Sequence, residues 1–484
     1  MQEETTQEFD TGYANRTLLL FGGFAVFVMY VESMLTPSLP SIASEFNVSA
    51  SQVSLVLSMY MVSGVALNPI IGKLGDIYGK KRMFTYVLIF YASAVTVTGF
   101  SPTFSFLIVS RTIQGIGLTM FPLAMSLVRE EFPRKMIPRA QGILSGMFGA
   151  GFAIGLPLGA YLSNDYGWRT TYHTALPFAI LFAILISTRV RESRYRRPDA
   201  KLDYPGSVLL ALSLASIVLG LSLGPNWGWT SYPILSLLGF GVVLLIPLVL
   251  WERKAPEPVL NMKLLRQRNV LNANLVVLIA GLGMFLAFQT VVYRLELPPP
   301  VGSGFDILST GLALAPIALI MFVVAPIGGV IISRTGVKPL SVAGSIIGSV
   351  GFLLAAMTPS TQSIIVPMIV FAAGIATLMV STANLLVLTV DPREMGLATS
   401  LNTVFRTLGS SLGAPIAGSL ISTFTTWILV GYINGVPSFY SAPSTLSFQY
   451  SFYIAAILFL VAGFLSLTAS EVLGNRRQKA AFPE

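Results

Sequence analysis

Apolar residues run through this chain in long blocks, and the blocks, not any short alternation, define its elements. At a rise of about 1.5 Å per residue, a block of about 20 residues forms a helix that crosses a hydrocarbon core of about 30 Å. Fourteen such helices are predicted, over approximately 17–37, 51–71, 84–101, 105–127, 140–162, 171–188, 205–224, 232–251, 270–292, 307–332, 339–358, 362–388, 396–422 and 450–471. Polar residues collect between them. Lysine and arginine fall on every second connection: Lys73 to Arg82, Arg129 to Arg139, Arg189 to Lys201, Arg253 to Arg268, Arg334 with Lys338, Arg393, and the tail Arg476, Arg477 and Lys479. Only Arg169 and Arg294 fall on the others. Cytoplasmic connections carry an excess of basic residues, so the alternation predicts that both termini are cytoplasmic, which an even number of spans requires.

Composition supports a membrane location. Of 484 residues, 54% are hydrophobic and 11% charged, against about 25% charged in soluble domains. The chain is therefore expected to be an all-α polytopic protein of the cell membrane. The net charge of +9 would suggest nucleic acid in a soluble protein. Here topology explains it, with anionic lipid as the partner of the basic connections and no nucleic-acid partner expected. Residues 1–16 are polar and acidic, without the basic start or cleavage site of a secretory signal, and are expected to remain as a cytoplasmic tail. No cysteine is present and His173 is the one histidine. Thiolate, metal and nucleophile chemistry therefore lack residues, and no P-loop offers ATP drive. Neither an enzyme nor a bound cofactor is expected.

The two halves repeat. Gly72 and Gly79 recur as Gly329 and Gly336, 257 residues on. Gly151 and Gly155 recur as Gly409 and Gly413, and Leu39-Pro40 as Leu297-Pro298, each 258 residues on. Three matches at nearly one offset predict a parallel duplication of a helical bundle. A six-helix unit needs about 200 residues, so the offset leaves room for two further helices. The expected organisation is a cytoplasmic tail over 1–16, a six-helix bundle over 17–188, a linker over 189–204, two inserted helices over 205–251, a linker over 252–269, a second six-helix bundle over 270–471 and a tail over 472–484.

The densest polar cluster is GKLGDIYGKKRMF, residues 72–84. A turn bearing topology-setting cations is the plainer explanation, but it gives Asp76 no use. This stretch resembles the loop signature of the major facilitator superfamily between its second and third helices: Gly72, Leu74, Asp76, Gly79, Lys80 and Lys81 match, and Ile77 stands where a cation is usual. Arg111 in RTIQGIG resembles the fourth-helix arginine signature of that superfamily. Gly151, Gly155, Pro157 and Gly159 resemble the fifth-helix antiporter signature, with Leu156 inserted before the proline and Ala160 replacing the last glycine. With two inserted helices, the whole chain resembles the 14-span drug:proton antiporters. The resemblance implies the major facilitator fold, with Asp76 as a latch between the halves on the cytoplasmic side. It implies a bent fifth helix that seals the interface between halves; packing of small residues alone is the alternative.

Ionisable residues within the spans are few: Glu32, Arg111 and Arg406, with Arg294, Glu296 and Asp306 at the margins. Charges at such depth face partners or aqueous cavities. Counting helical rise brings Glu32 and Arg111 to one depth. A carboxylate that burial and a nearby arginine push in opposite directions changes proton affinity with small movements. Glu32 is therefore the expected carrier of a coupling proton, with Arg111 tuning it; snorkelling of Glu32 to the outer interface is the alternative. Tyr30, Met34, Tyr60, Gln114, Gln289, Asn402, Phe405 and Arg406 are the candidate substrate contacts. Residues 425–449 form an uncharged outer connection, either a loop, a hairpin or a short helix. The expected function is proton-coupled export, by a monomer, of small amphipathic compounds, cationic by preference. Proton-coupled uptake and export of an anionic or zwitterionic metabolite are the alternatives.

Overall fold

In the computed structural model, residues 11–133, 136–193, 196, 198, 201–358, 362–390, 394–433 and 436–470 are described. The first ten residues, Arg393 and the tail holding Arg476, Arg477 and Lys479 lie outside them. The apolar blocks are helices. The first stretch comprises α1 (Thr11–Ser33), the short α2 (Leu39–Glu45) and α3 (Ala50–Val53), and then α4 (Leu55–Tyr78), α5 (Lys80–Thr98), α6 (Phe104–Gln114), α7 (Met120–Glu131), α8 (Ile137–Tyr166) and α9 (Trp168–Arg189). A tighter 3-10 turn over Gly115–Thr119 joins α6 to α7, so the predicted fourth span is one pass with a change of pitch. Two helices follow, α10 (Tyr204–Trp227) and α11 (Tyr232–Glu252). After the short α12 (Met262–Leu265) come α13 (Arg268–Glu296), α14 (Ile307–Thr335), α15 (Val337–Met357), α16 (Ile365–Thr389), α17 (Met395–Thr423) and α18 (Thr445–Thr468).

Eleven helical stretches among the described residues are long and apolar enough to cross a membrane. Helices α5, α8 and α17 stand outside that set. α5 opens on Lys80, Lys81 and Arg82, while α8 and α17 are rich in glycine and serine, a composition that suits close helix contact. The predicted first span runs from 17 to 37, whereas α1 ends at Ser33 and Pro37 enters a separate 3-10 turn over Thr36–Ser38.

One pairing scheme occurs in both stretches. α1 lies on α8 and α5 on α9; correspondingly α13 lies on α17 and α15 on α18. The stretches meet along two seams, α8 against α14 and α4 against α17. α13 is the most enclosed, with 89% of its apolar window buried, whereas α11 is 17% buried and faces outward. α10 fills the groove beside the α4–α17 seam, and Ser54 and Ser222 hydroxyls meet there at 3.3 Å. Among the extensive helix contacts, the inserted pair meets the bundles through α10, with α11 packed behind it.

Two strands, β1 (Thr425–Ile433) and β2 (Val436–Pro443), pair antiparallel as a hairpin, irregular between Leu429 and Gly431. It stands between α17 and α18, at the end away from Lys73–Arg82.

Candidate functional site

Two cavities lie where the bundles face one another. The larger, of about 70 Å³, is lined by Met29 and Glu32 of α1, Met61 of α4, Phe152 of α8, Met284 and Phe285 of α13, Met321 of α14, Met379 of α16 and Arg406 of α17. Its residues come from the middle of α13, α14 and α17, so Glu32 lies at mid-height. Glu32 is 7% exposed, so its side chain is enclosed by protein. The smaller cavity, of about 30 Å³, borders Asn68, Phe121, Thr403 and, again, Arg406. Both are well below the 300 Å³ or so that a drug-sized ligand occupies. Loading therefore requires the bundles or the unbranched methionines to move.

Glu32 lies within electrostatic reach of two guanidiniums, Arg406 more strongly than Arg111. Sequence reasoning paired it with Arg111; the structure keeps Arg111 within reach and adds Arg406. Arg111 is fully buried inside the first bundle, where Nε donates to Val56 O at 3.1 Å and Nη1 to Gln114 Oε1 at 2.9 Å. Its guanidinium lies 4.6 Å from the centre of the Tyr60 ring. It acts on Glu32 from behind, without lining a cavity.

Most other candidates for substrate contact serve packing. Tyr30 OH meets Thr174 Oγ1 at 3.1 Å between α1 and α9. Met34 is fully buried, and Gly159 packs on its backbone. Gln114 is held by Arg111, the Thr98 hydroxyl and Ala94 O. Gln289 Nε2 donates to Ala50 O at 3.4 Å, across the halves. Asn402 Nδ2 donates to Asn274 Oδ1 at 3.4 Å, and Phe405 packs into an apolar cluster. Of the named candidates, Glu32 and Arg406 line these two cavities and the others do not. The sequence reading missed the methionines and phenylalanines, since nothing in a helix distinguishes a cavity-lining Met from a core one.

The Gly72–Lys81 cluster is a charge network at the basic end. Asp76 Oδ1 lies 3.1 Å from Lys80 Nζ on its own turn, and Lys80 also pairs with Glu130 of α7. Among the described residues, no contact from Asp76 reaches the other half. The anion at the α5 N-terminus is instead Glu192, which accepts the N–H groups of Lys81 at 2.9 Å and Arg82 at 3.1 Å, where the helix dipole favours negative charge. Lys73 pairs with Glu257 and donates to Lys201 O at 3.0 Å, tying the loop to both linkers of the inserted pair. Gly79 requires glycine: its φ is +111°, and an added Cβ would fall 2.7 Å from the Glu192 carboxyl carbon. Gly72 has nothing within 4 Å, so no close approach explains it here.

The glycine run of α8 also differs from expectation. Gly151, Gly155 and Gly159 face α1, against Val26, Tyr30 and Met34, and Gly409 and Gly413 face α13 in the same manner. They bring neighbouring helices of one bundle together. The contact between bundles falls on their neighbours: Gly149 packs on Phe322, and Gly311 packs on Leu156, Pro157 and Ala160. Pro157 lies within a continuous α8.

The end away from the basic residues is closed by contact between the two stretches. Ser51 N–H donates to Ser422 Oγ at 3.1 Å, and Gly418 rests on the Ala50–Ser51 backbone. Arg294 is buried there, donating to Ala355 O at 3.2 Å and Thr358 O at 2.5 Å.

Comparison with known proteins agrees with this geometry. The chain is 26% identical to the multidrug transporter protein MdtP of Bacillus subtilis over 436 residues, covering 88% of this chain and 80% of that protein. It is 30% identical to multidrug resistance protein 3 of the same organism over 383 residues, covering 77% and 73%. A bacterial homologue of the human lysosomal transporter Spinster, solved inward-facing and unoccupied, superimposes with a TM-score of 0.66 at 15% identity, covering 95% of this chain and 98% of that one. The family model of the Major Facilitator Superfamily matches residues 21–414, and the chain belongs to that superfamily as a membrane transporter.

Proposed function

We propose that this protein exports small amphipathic compounds across the cell membrane in exchange for protons, by alternating access of two six-helix bundles. Counting α5, α8 and α17 with the other long helices gives fourteen crossings, with both termini cytoplasmic as the basic connections require. On this reading the closed end faces outward, and the structure is the state that loads from the cytoplasm. The proton is the coupling ion, the unit is a monomer among lipids, and no other cofactor takes part.

The observation that carries the reading is Glu32: a carboxylate enclosed at mid-height in the cavity between the bundles, faced by Arg406 from the opposite one. Such a group can hold a proton in one state and release it in another, since its charge is favourable only while its partner and water stay near. The names of the relatives support export of varied compounds.

The test uses protein reconstituted in vesicles, with permanently charged fluorescent amphiphiles of each charge type. An acid-inside gradient is expected to drive dye inward through wild type and to have no effect through Glu32→Gln. Inward transport driven by an acid-outside gradient would establish uptake with protons instead. Transport indifferent to either gradient would remove proton coupling altogether.

A further inference from the structure

Two buried acids lie outside the transport cavity, where the inserted helices meet their linker. Asp203 precedes α10 and Glu252 ends α11, so each helix of the pair brings one carboxyl to the basic end. Asp203 is 9% exposed and Glu252 2%. Asp203 Oδ1 accepts the N–H of Gly206 at 2.9 Å and the indole N–H of Trp251 at 2.7 Å, and Oδ2 accepts the N–H of Val259 at 3.3 Å. Glu252 Oε2 accepts the N–H of Leu260 at 3.0 Å. The fourth oxygen, Glu252 Oε1, is buried and has no donor among the described residues. It is close to Asp203 Oδ2: the two oxygens lie 2.8 and 2.5 Å from the point where a Cβ on Gly206 would stand. Between them the acids hold Val259 and Leu260, in the linker over 253–261, against the start of α10.

Two carboxylates so placed are costly to ionise together, because both are out of water and each disfavours charge on the other. Asp203 has three N–H donors, which favour its charged form. Glu252 has one, and a proton on Oε1 converts a buried oxygen without a partner into a donor directed at Asp203. One proton therefore satisfies both groups. A metal ion in the same place would want about six or more oxygen ligands, whereas three of the four oxygens here already face N–H groups. The charged groups facing Glu252 are Asp203 and, at longer reach, Lys73 of α4, which is itself engaged by Glu257 and Lys201 O.

We propose that Glu252 and Asp203 form a second proton-binding site, in which one proton held on Glu252 Oε1 and shared with Asp203 keeps the 253–261 linker clasped to the inserted pair. When a base in solution removes that proton, two facing carboxylates remain, and their repulsion releases Val259 and Leu260. The clasp is closed at neutral pH and opens as the medium turns alkaline. The segment it holds carries Glu257, the partner of Lys73 in the signature loop. Glu32 takes no part, so this site is independent of the exchange reading above.

The test is hydrogen–deuterium exchange in purified full-length protein in uncharged detergent, followed in peptides that cover Val259 and Leu260. Rates are expressed as protection relative to unstructured chain at each pH, so that intrinsic base catalysis cancels. Wild-type protection is expected to fall at least about tenfold between about pH 6 and about pH 9, the range in which a buried carboxyl can titrate. Glu252→Gln, whose amide can donate to Asp203 at every pH, should stay protected throughout, and Asp203→Asn, which removes the facing charge, should flatten the dependence. Wild-type protection that does not change with pH, or an equal fall in Glu252→Gln, would overturn the proposal. So would a fall shared by the amides of α13, which would mark general unfolding, and so would neutral-pH protection that a chelator removes and calcium restores, which would give the place to a cation. If Glu252→Gln fails to fold, Asp203→Asn decides: a fall as steep as in wild type would overturn the site.

Discussion

At the scale of the residue, the structure separates positions that look equivalent in sequence. Gly72 and Gly79 both belong to one signature, yet Gly79 alone has a positive φ and a carboxylate against its missing side chain. Gly79→Ala is expected to destabilise by about 1–3 kcal/mol, whereas Gly72→Ala, in an open helical position, should be neutral or stabilise by up to about 1 kcal/mol. Thermal unfolding in detergent would measure both, and equal losses would contradict the assignment. Glu32 was legible as a functional residue because an acid deep in an apolar run has few other uses. Its second partner was not. Arg111 and Arg406 both stand in apolar helices, and only tertiary packing buries the first on Val56 O and Gln114 while turning the second into the cavity.

At the scale of the element, the ends of helices carry most of the polar design. Asp306 caps α14, accepting from the N–H of Ser309 at 2.9 Å. The Ser309 hydroxyl and backbone N–H hold its carboxyl below the usual aspartate range. Because the folded value is lowered, the stabilisation is complete at neutral pH and is lost as pH falls through that lowered value. Asp306→Ala is therefore expected to cost about 1 kcal/mol at pH 7, with the gap to wild type closing below about pH 4; a gap that persists in acid would show that the cap is not electrostatic. Helix positions were legible throughout, because a hydrophobic block of about 20 residues has one stable form in lipid. The hairpin over 425–443 was left open between three forms. Its residues carry no helical or alternating pattern strong enough to choose.

At the scale of the whole molecule, the apolar blocks made the helical fold readable, and the 257-to-258-residue offset pointed to the pairing scheme that the two stretches share. Which end of the bundles is closed was not readable, because it is one state of an equilibrium. That closure has a direct consequence. The chain has no native cysteine, so Ser51→Cys with Ser422→Cys introduces a single pair across the closed end. Oxidation should form the disulfide and stop transport, and reductant should restore it; undiminished transport by the cross-linked protein would contradict alternating access through this end. The network tying Lys73 to Glu257 and Lys201 joins the signature loop to the linkers of the inserted pair.

The central claim is that ligand and proton compete for Glu32. The most direct measurement is proton release into weakly buffered detergent solution when a binding amphiphile is added, for wild type and Glu32→Gln side by side. The account expects release by wild type and binding without release by Glu32→Gln. Binding by wild type with no proton released, or release undiminished in Glu32→Gln, would contradict it.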